Sequence, residues 1–246
     1  MWCCSETHLL LSLLGGSYTR MFIGSINYQH ARTFSRTPLT LSFSIRSIIV
    51  KIGSPEITYD KDKGVFRNIK YRLTFREYGK DVTIAPNVVI KRPHLACIGN
   101  HVTIQSDTRI YIHPENKDAD QCLLRVGNHV HIGINNVISA RNCIVIEDYV
   151  LCAPRVTILD NTHHYEDIDT PIMLQDLTRD GAVHLGTECW IGTNAIIMPN
   201  VTIGKHAIIG ANAVVTQNIP PFSVAVGAPA TVIKQYDGKK KKWVRS

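Results

Sequence analysis

The sequence predicts an all-β fold, a prism-shaped parallel β-helix, from three observations. Aliphatic residues recur every six positions, at Val126, Ile132 and Ile138, then after a two-residue slip at Ile146, Cys152 and Ile158, and later from Leu185 through Ile191, Ile197, Ile203 and Ile209 to Val215. Glycine often follows the aliphatic residue (Ile191-Gly192, Ile203-Gly204, Ile209-Gly210), and a small or β-branched residue stands four places on (Val156, Ala195, Val201, Ala207, Ala213). The beat fails once, across a polar excursion from about Asp160 to His184 that opens Asp160-Asn161-Thr162-His163-His164-Tyr165.

A helix would repeat apolar residues at three and four, and an amphipathic strand at two. A period of six fits short strands joined by tight corners. Each hexad then makes one flat side, the aliphatic residue points to the axis, and Gly or Asn takes a corner where positive φ is needed. Three such sides close a coil, and stacked coils bury a continuous apolar column. Spacing alone does not give the hand of the coil.

In chain order the sequence divides into an N-terminal extension (1–45), lead-in strands (46–81), the β-helix (82–234, with the excursion at 160–184) and a basic tail (235–246). The apolar run from Leu9 to Leu14 is far shorter than the about 20 residues that cross a bilayer, and no Lys or Arg precedes it as in a signal peptide. It reads as a loose extension or short packing helix, with no stable membrane insertion. Alternation at Val65, Ile69, Tyr71, Leu73 and Phe75 reads as strands leading into the first coil. The ladder starts with Val82, Ile84 and Ile90, turns through Pro93, and continues at Ile98, Ile104 and Ile110. The charged segment His113 to Arg125 reads as an exposed loop. At the far end Pro220-Pro221 cannot donate to a ladder and marks where coiling stops. The run Lys239 to Lys242 reads as a solvated end, or as a contact for an acidic ligand or membrane surface.

Composition bounds the function. With 44% hydrophobic and 19% charged residues the 246-residue chain is ordinary for a soluble globular protein. A net charge of +7 favours an anionic partner, whether a phosphorylated cofactor or an acidic sugar polymer. Nucleic acid is disfavoured by 7% aromatic content and the lack of a recognisable binding motif. Seven cysteines, an odd number without CxxC spacing, predict neither a disulfide framework nor structural zinc, and a reduced, cytoplasmic protein.

From Leu185-Gly186 to Val215-Thr216 the chain carries Trp190-Ile191-Gly192 and Gly210-Ala211-Asn212-Ala213-Val214-Val215-Thr216, followed by Ile219-Pro220-Pro221 and Val226-Gly227-Ala228-Pro229-Ala230. These residues resemble the hexapeptide-repeat acyltransferases, and within them the maltose, galactoside, nodulation-factor and surface-polysaccharide O-acetyltransferases. The resemblance covers roughly Val82 to Lys234. It implies a left-handed parallel β-helix, an exception to the right-handed crossover rule. It also implies a homotrimer with acyl-CoA sites between neighbouring prisms, and acetyl transfer from acetyl-CoA to a carbohydrate hydroxyl.

His163 matches the family's catalytic histidine. An imidazole near neutral pH can take the proton of a sugar hydroxyl as it attacks a thioester, then return it to the leaving thiolate. His164 is the runner-up, because adjacent side chains on extended backbone face opposite ways. Glu166, Asp167 and Asp169 either orient an imidazole or are simply solvated. The resemblance places Trp190, Thr193, Ala211, Thr216, Gln217, Thr231 and Lys234 against acetyl-CoA. Trp190 and Ala211 read equally as a corner aromatic and as coil packing, and Thr231 stands where relatives carry an arginine. Tyr165 is expected on the acceptor side. Where the galactoside and maltose enzymes grip sugar with Asn and Asp, this chain has Gly133 and Arg141. Arg141 then suggests an acidic acceptor, such as a sialic or uronic acid unit of a capsule or lipopolysaccharide, or else it is an exposed corner residue. His129-x-His131 lacks a third ligand in view, so no metal is expected. Alternatives are N-acetylation of a nucleotide-linked amino sugar, disfavoured because no GxGxxG or nucleotide-binding N-terminal domain is seen, a chloramphenicol-type acetyltransferase, weakened by the Asp160 to Tyr165 motif, and a non-catalytic β-helix scaffold, which would not need His163.

Overall fold

The computed structural model describes residues 71–115, 121–178 and 181–246, all within one compact unit, residues 61–246. The extension, the Leu9 to Leu14 run, Cys3, Cys4 and most of the lead-in lie outside the described residues.

Strands follow one another three to a coil. The first coil has β1 (Glu77–Tyr78), β2 (Thr83–Ile84) and β3 (Val89–Lys91), and the second β4 (Ala96–Ile98), β5 (Thr103–Ile104) and β6 (Arg109–Ile112). Next come β7 (Leu124–Val126), β8 (His131–Ile132) and β9 (Val137–Ala140), then β10 (Ile144–Ile146), β11 (Leu151–Cys152) and β12 (Thr157–Leu159). Beyond the excursion are β13 (Val183–Leu185), β14 (Trp190–Ile191) and β15 (Ile196–Ile197), then β16 (Val201–Ile203), β17 (Ile208–Ile209) and β18 (Val214–Val215). The chain closes with β19 (Ser223–Val226), β20 (Thr231–Asp237) and β21 (Lys242–Arg245).

Through β18, every third strand joins the same sheet. The first sheet runs β1-β4-β7-β10-β13-β16, the second β2-β5-β8-β11-β14-β17-β19-β20-β21, and the third β3-β6-β9-β12-β15-β18. Coil-to-coil pairings are parallel and in register, as in Ile104↔Ile132, Ile132↔Cys152, Cys152↔Ile191 and Ile191↔Ile209. The hexad aliphatics therefore stack into the expected column, with Ile132, Ile197, Ile203 and Ile209 fully buried. The all-β reading holds for the coil.

At the corners Asn takes positive φ as expected, and the hexad glycine does not. Positive φ is carried by side-chain-bearing residues such as His101 (56°), His129 (56°), Asn135 (57°), Asn194 (62°) and Asn212 (60°). The hexad glycine serves close approach instead: a Cβ on Gly192 would lie 2.6 Å from the carbonyl oxygen of Ile209 in the coil above. Only Gly fits that contact.

Further corrections follow from contacts that spacing does not reveal. Tyr71 to Thr74 are helical rather than extended. Tyr71 and Phe75, four apart, meet edge to face at 5.6 Å, Phe75 is buried and Leu73 points outward. The four-residue spacing therefore dominates over the alternation. Cys97 and Cys122, 25 residues apart, form a disulfide that ties the loop after β6 to the first sheet, which an odd count without paired spacing did not suggest. Residues 235–246 are not a loose tail. The hairpin β20-β21 pairs Gln235 with Val244 and Tyr236 with Trp243, and the Asp237 carboxylate accepts the N–H of Lys239 (2.9 Å) and Lys240 (3.0 Å), making the turn. The lysines of the turn stay exposed.

Candidate active site

The third sheet ends each strand at a corner leading to the first sheet, and the excursion leaves that corner after β12. Asp160, the residue at which the beat stops, is wholly buried. Its carboxylate accepts the backbone N–H of Arg141 (2.7 Å), Asn142 (2.8 Å) and Cys143 (2.8 Å), and the Asn161 side-chain amide (2.8 Å). Those three N–H groups belong to the slip between Ile138 and Ile146, where the extra residues leave donors without a ladder partner. A buried donor needs an acceptor, and Asp160 supplies one for all three.

Beyond Asp160 the chain forms an arm of two antiparallel legs. His163 bridges Leu177, the N–H of His164 donates to Asp176 (2.9 Å), and the N–H of Thr178 donates to Thr162 (2.7 Å). Gln175 closes the tip, its side-chain amide donating to the carbonyls of Asp167 (2.7 Å) and Thr170 (2.8 Å). His163 Nδ1 lies 3.3 Å from the Gln175 carbonyl oxygen. A carbonyl only accepts, so Nδ1 carries the hydrogen and Nε2 keeps its lone pair. The ring is exposed, so Nε2 is open to an incoming proton.

His164 is held differently. Its Nδ1 faces the Glu166 carboxylate at 3.1 Å. Backbone N–H groups, its own and that of Tyr165, together with His164, keep Glu166 below the ordinary carboxylate range. Asp167 is likewise lowered, by Thr170 and then the Asp169 N–H. The carboxylates next to the histidine pair therefore serve His164 and the arm's own turns, while His163 is oriented by a backbone carbonyl. Tyr165 is exposed beside them.

Arg141 is neither free nor exposed. Its side chain is 8% accessible and its Nη2 meets an Asp176 carboxylate oxygen at 3.1 Å. Its Nε is buried without a partner. Arg141 thus ties the corner of the coil below to the arm's returning leg, one residue from the carbonyl that holds His163. At Gly133 a Cβ would lie 2.7 Å from the Ala153 backbone, so that position has no room for a side chain.

Residues 182–217 match the bacterial transferase hexapeptide (six repeats) family. That stretch of the coil carries the hexapeptide repeat. The parallel three-sheet coil is the β-helix that such a repeat predicts. The chain is 34% identical over 129 residues to galactoside O-acetyltransferase of Escherichia coli K12, covering 47% of this chain and 58% of that protein. It is 31% identical over 130 residues to a putative lipopolysaccharide biosynthesis O-acetyl transferase of the same organism, covering 50% and 63%. A probable acetyltransferase of Mycobacterium tuberculosis is 38% identical over 111 residues, covering 45% and 37%. The chain thus spans between 37% and 63% of the length of these curated relatives. The same fold recurs in AntD, an N-acyltransferase from Bacillus cereus in complex with dTDP and 3-hydroxybutyryl-CoA, with a TM-score of 0.60, 22% identity and 73% of this chain covered against 93% of that one.

The coil places the positions matched to family cofactor contacts on two edges of the third sheet. Thr193 and Ala211 share the corner between the second and third sheets in successive coils, where the Asn212 N–H donates to the Thr193 carbonyl (2.9 Å). Trp190 precedes that corner on β14 and is 49% exposed. Thr216 and Gln217 are exposed at the opposite corner, the one from which the His163 arm departs two coils lower. Thr231 and Lys234 lie exposed on β20, and Lys234 is paired in register with Arg245, a cation that sequence reading missed. One prism therefore carries the two sets on different corners. Recesses of about 480 and 500 Å³ lie on the first sheet and its following corner, and His163 lines neither. Among the described residues no group of His, Cys, Asp and Glu converges to hold a metal. His129 instead stacks between His101 and Tyr149, at 4.7 Å from each. No helix among the described residues is long and apolar enough to cross a membrane.

Proposed function

We propose that this chain is an O-acetyltransferase that moves acetyl from acetyl-CoA to a hydroxyl of a carbohydrate, with His163 as general base. The observation that carries the reading is the bond between His163 Nδ1 and the Gln175 carbonyl at 3.3 Å, on an arm projecting from a hexapeptide coil. That bond leaves Nε2 as an acceptor facing outward. Nε2 takes the hydroxyl proton, the hydroxyl oxygen forms its bond to the thioester carbon, and the tetrahedral adduct collapses by breaking the carbon–sulfur bond. The departing thiolate then recovers the proton from Nε2. Both substrates meet in one ternary complex, so orientation rather than a covalent acyl-enzyme lowers the barrier.

Acetyl-CoA would lie against Trp190, Thr193 and Ala211, the last two small enough for close approach of its thin arm, with Thr216 and Gln217 alongside. Thr231 and Lys234 face its nucleotide end, and Arg245 opposite Lys234 adds a second cation where relatives carry one at the Thr231 position. Because Thr193 and Ala211 occupy a different corner of one prism from His163, the site is completed by a neighbouring copy, in a homotrimer. The acceptor is a surface polysaccharide unit in the capsule or lipopolysaccharide class, approached from the Tyr165 side, and the enzyme works in the cytoplasm where acetyl-CoA is made. Similarity to O-acetyltransferases of sugars supports the reading.

The test is thiol release from acetyl-CoA with a saccharide panel, comparing the intact protein with His163→Ala and His164→Ala. Acceptor-dependent release lost only in His163→Ala supports the assignment. Loss only in His164→Ala transfers the role to that residue, and a protein that binds no CoA is a scaffold.

A further inference from the structure

Lys91, Arg92, Tyr111 and His113 lie on the corner column that also bears the His163 arm, in coils nearer the N-terminus. Strand register aligns Lys91 with Tyr111, Tyr111 with Ser139, and Ser139 with Leu159, the residue just before Asp160. The Lys91 ammonium sits 5.2 Å from the centre of the Tyr111 ring. The His113 ring is stacked near Tyr111 with centres 6.1 Å apart. Arg92 turns the corner at φ 56° and donates from Nη1 to the Ile112 carbonyl at 2.7 Å, which fixes its guanidinium while leaving other N–H groups for a ligand.

Among the described residues no carboxylate pairs with Lys91 or Arg92, both of which are exposed. Nearby Asp160 is committed to three backbone N–H groups, and Arg141 faces Asp176. The local field is felt by His113, whose imidazole is held below its ordinary value by burial and then by Arg92, Lys91 and Arg141, against a smaller opposing effect of Asp160. A neutral imidazole at neutral pH can both donate to and accept from a hydroxyl.

Placement along the axis decides what the patch would meet. All positions matched to acetyl-CoA contacts fall from Trp190 to Lys234, in coils beyond the arm. An acceptor that reaches His163 without displacing the thioester must come from the other side, over β9, β6 and β3. Adjacent strands are spaced about 4.8 Å, so Tyr111 and Lys91 lie roughly 10 and 14 Å along the coil from the strand that precedes His163. That span is too long for a monosaccharide and suits a short run of sugar units.

We propose that Lys91, Arg92, Tyr111 and His113 form a subsite that binds a carboxylate-bearing sugar of an acidic oligo- or polysaccharide, two to three units from the hydroxyl presented to His163. Lys91 and Arg92 take the carboxylate, Tyr111 offers a ring face to the sugar, and His113 bonds a hydroxyl. The proposal rests on the reading that acetyl is transferred at His163, but its binding step does not depend on catalysis.

The experiment titrates the full chain, without acetyl-CoA, with tetragalacturonic acid, its uncharged methyl ester and a sialic acid trimer, and measures CoA binding in parallel. Saturable binding of at least one acid over the ester is expected. Lys91→Ala/Arg92→Ala should weaken that binding roughly tenfold, on the scale of two exposed ion pairs, while His163→Ala binds as the parent does. Which acid binds identifies the sugar class. No binding of either acid, equal binding of the ester, or undiminished binding in the double variant would each overturn the subsite. CoA binding retained by the double variant shows that it folds. Absence of CoA binding in the parent overturns the transferase reading instead, separately from the subsite.

Discussion

The column and the arm of this molecule are stabilised by opposite means. In the column every coil repeats the one below, so each hexad aliphatic is buried by neighbours of its own kind, and Ile197 is wholly inaccessible. In the arm Ile168, Met173 and Leu174 are 93%, 82% and 70% exposed, and shape comes from a few polar bonds of Gln175, Asp176 and Thr178. A repeated apolar contact makes a rigid frame, whereas a sparsely bonded arm can present one side chain outward. The column fixes where the arm begins.

The largest effect is expected at the arm's end. His163→Ala should lower acetyl transfer roughly a thousandfold, within the range for losing a general base, with thermal stability unchanged because the ring is exposed. Steady-state rates and a melting curve check both halves. A fall in stability would make His163 part of the frame and erase the contrast.

The converse change tests the column. Ile197→Ala should cost about 2 to 5 kcal/mol, since a buried cavity in close-packed coils does not collapse. Ile168→Ala should stay within about 0.5 kcal/mol, as exposed substitutions do. Chemical denaturation measures both. If Ile168→Ala instead weakens self-association seen by analytical ultracentrifugation, the exposed arm is packing material for a second copy.

Arg141 sits where the two regions meet. Arg141→Ala should lower kcat roughly tenfold by loosening the leg that carries the Gln175 carbonyl, with the KM for acetyl-CoA little changed. A positioning role predicts more than a rate loss. Histidine nitrogen chemical shifts should report Nδ1-protonated His163 in the parent and a mixture of tautomers in the variant. A normal tautomer with a raised acceptor KM would return Arg141 to the acceptor.

Legibility in the sequence divides along the same line. Ile132, Cys152 and Ile191 announce the column because a buried ladder forces like residues to equal spacing, and a period is readable from one chain. The arm shows itself only as a missed beat, and His163 was singled out through resemblance. Nothing local reveals that Gln175, twelve positions on, supplies the carbonyl for His163, or that Asp160 satisfies N–H groups of Arg141 to Cys143. Those bonds join residues whose separation is set by the fold. The Tyr71 to Thr74 helix, the Cys97–Cys122 pair and the β20-β21 hairpin were missed for the same reason, since each depends on which neighbour the chain finds. From sequence Arg141 reads as a ligand group or an exposed corner residue, because its charge is visible there and the Asp176 opposite it is not.

The smallest effect separates carboxylates that look alike. Glu147 and Glu166 are both held below the ordinary carboxylate value of 4.5. For Glu147 the main cause is the Thr187 hydroxyl, followed on the favourable side by the Thr187 N–H (2.7 Å) and His184 Nε2 (2.8 Å), from residues up to 40 positions away. For Glu166 the partners are its own and adjacent residues, which an unfolded chain also keeps close. A depressed folded value means that the unfolded chain binds the proton more readily. The stabilisation from Glu147 is therefore complete above the ordinary value and lost as pH falls below 4.5 through the folded one. Because Glu147 is 38% exposed, screening keeps the effect below about 1 kcal/mol. Glu147→Gln should then be less stable than the parent at neutral pH, with the gap closing in acid, while Glu166→Gln follows the parent throughout. Urea midpoints measured from pH 3 to 7 distinguish the two. A matching pH-dependent loss in Glu166→Gln would mean that the arm, too, is held by contacts that exist only in the folded chain.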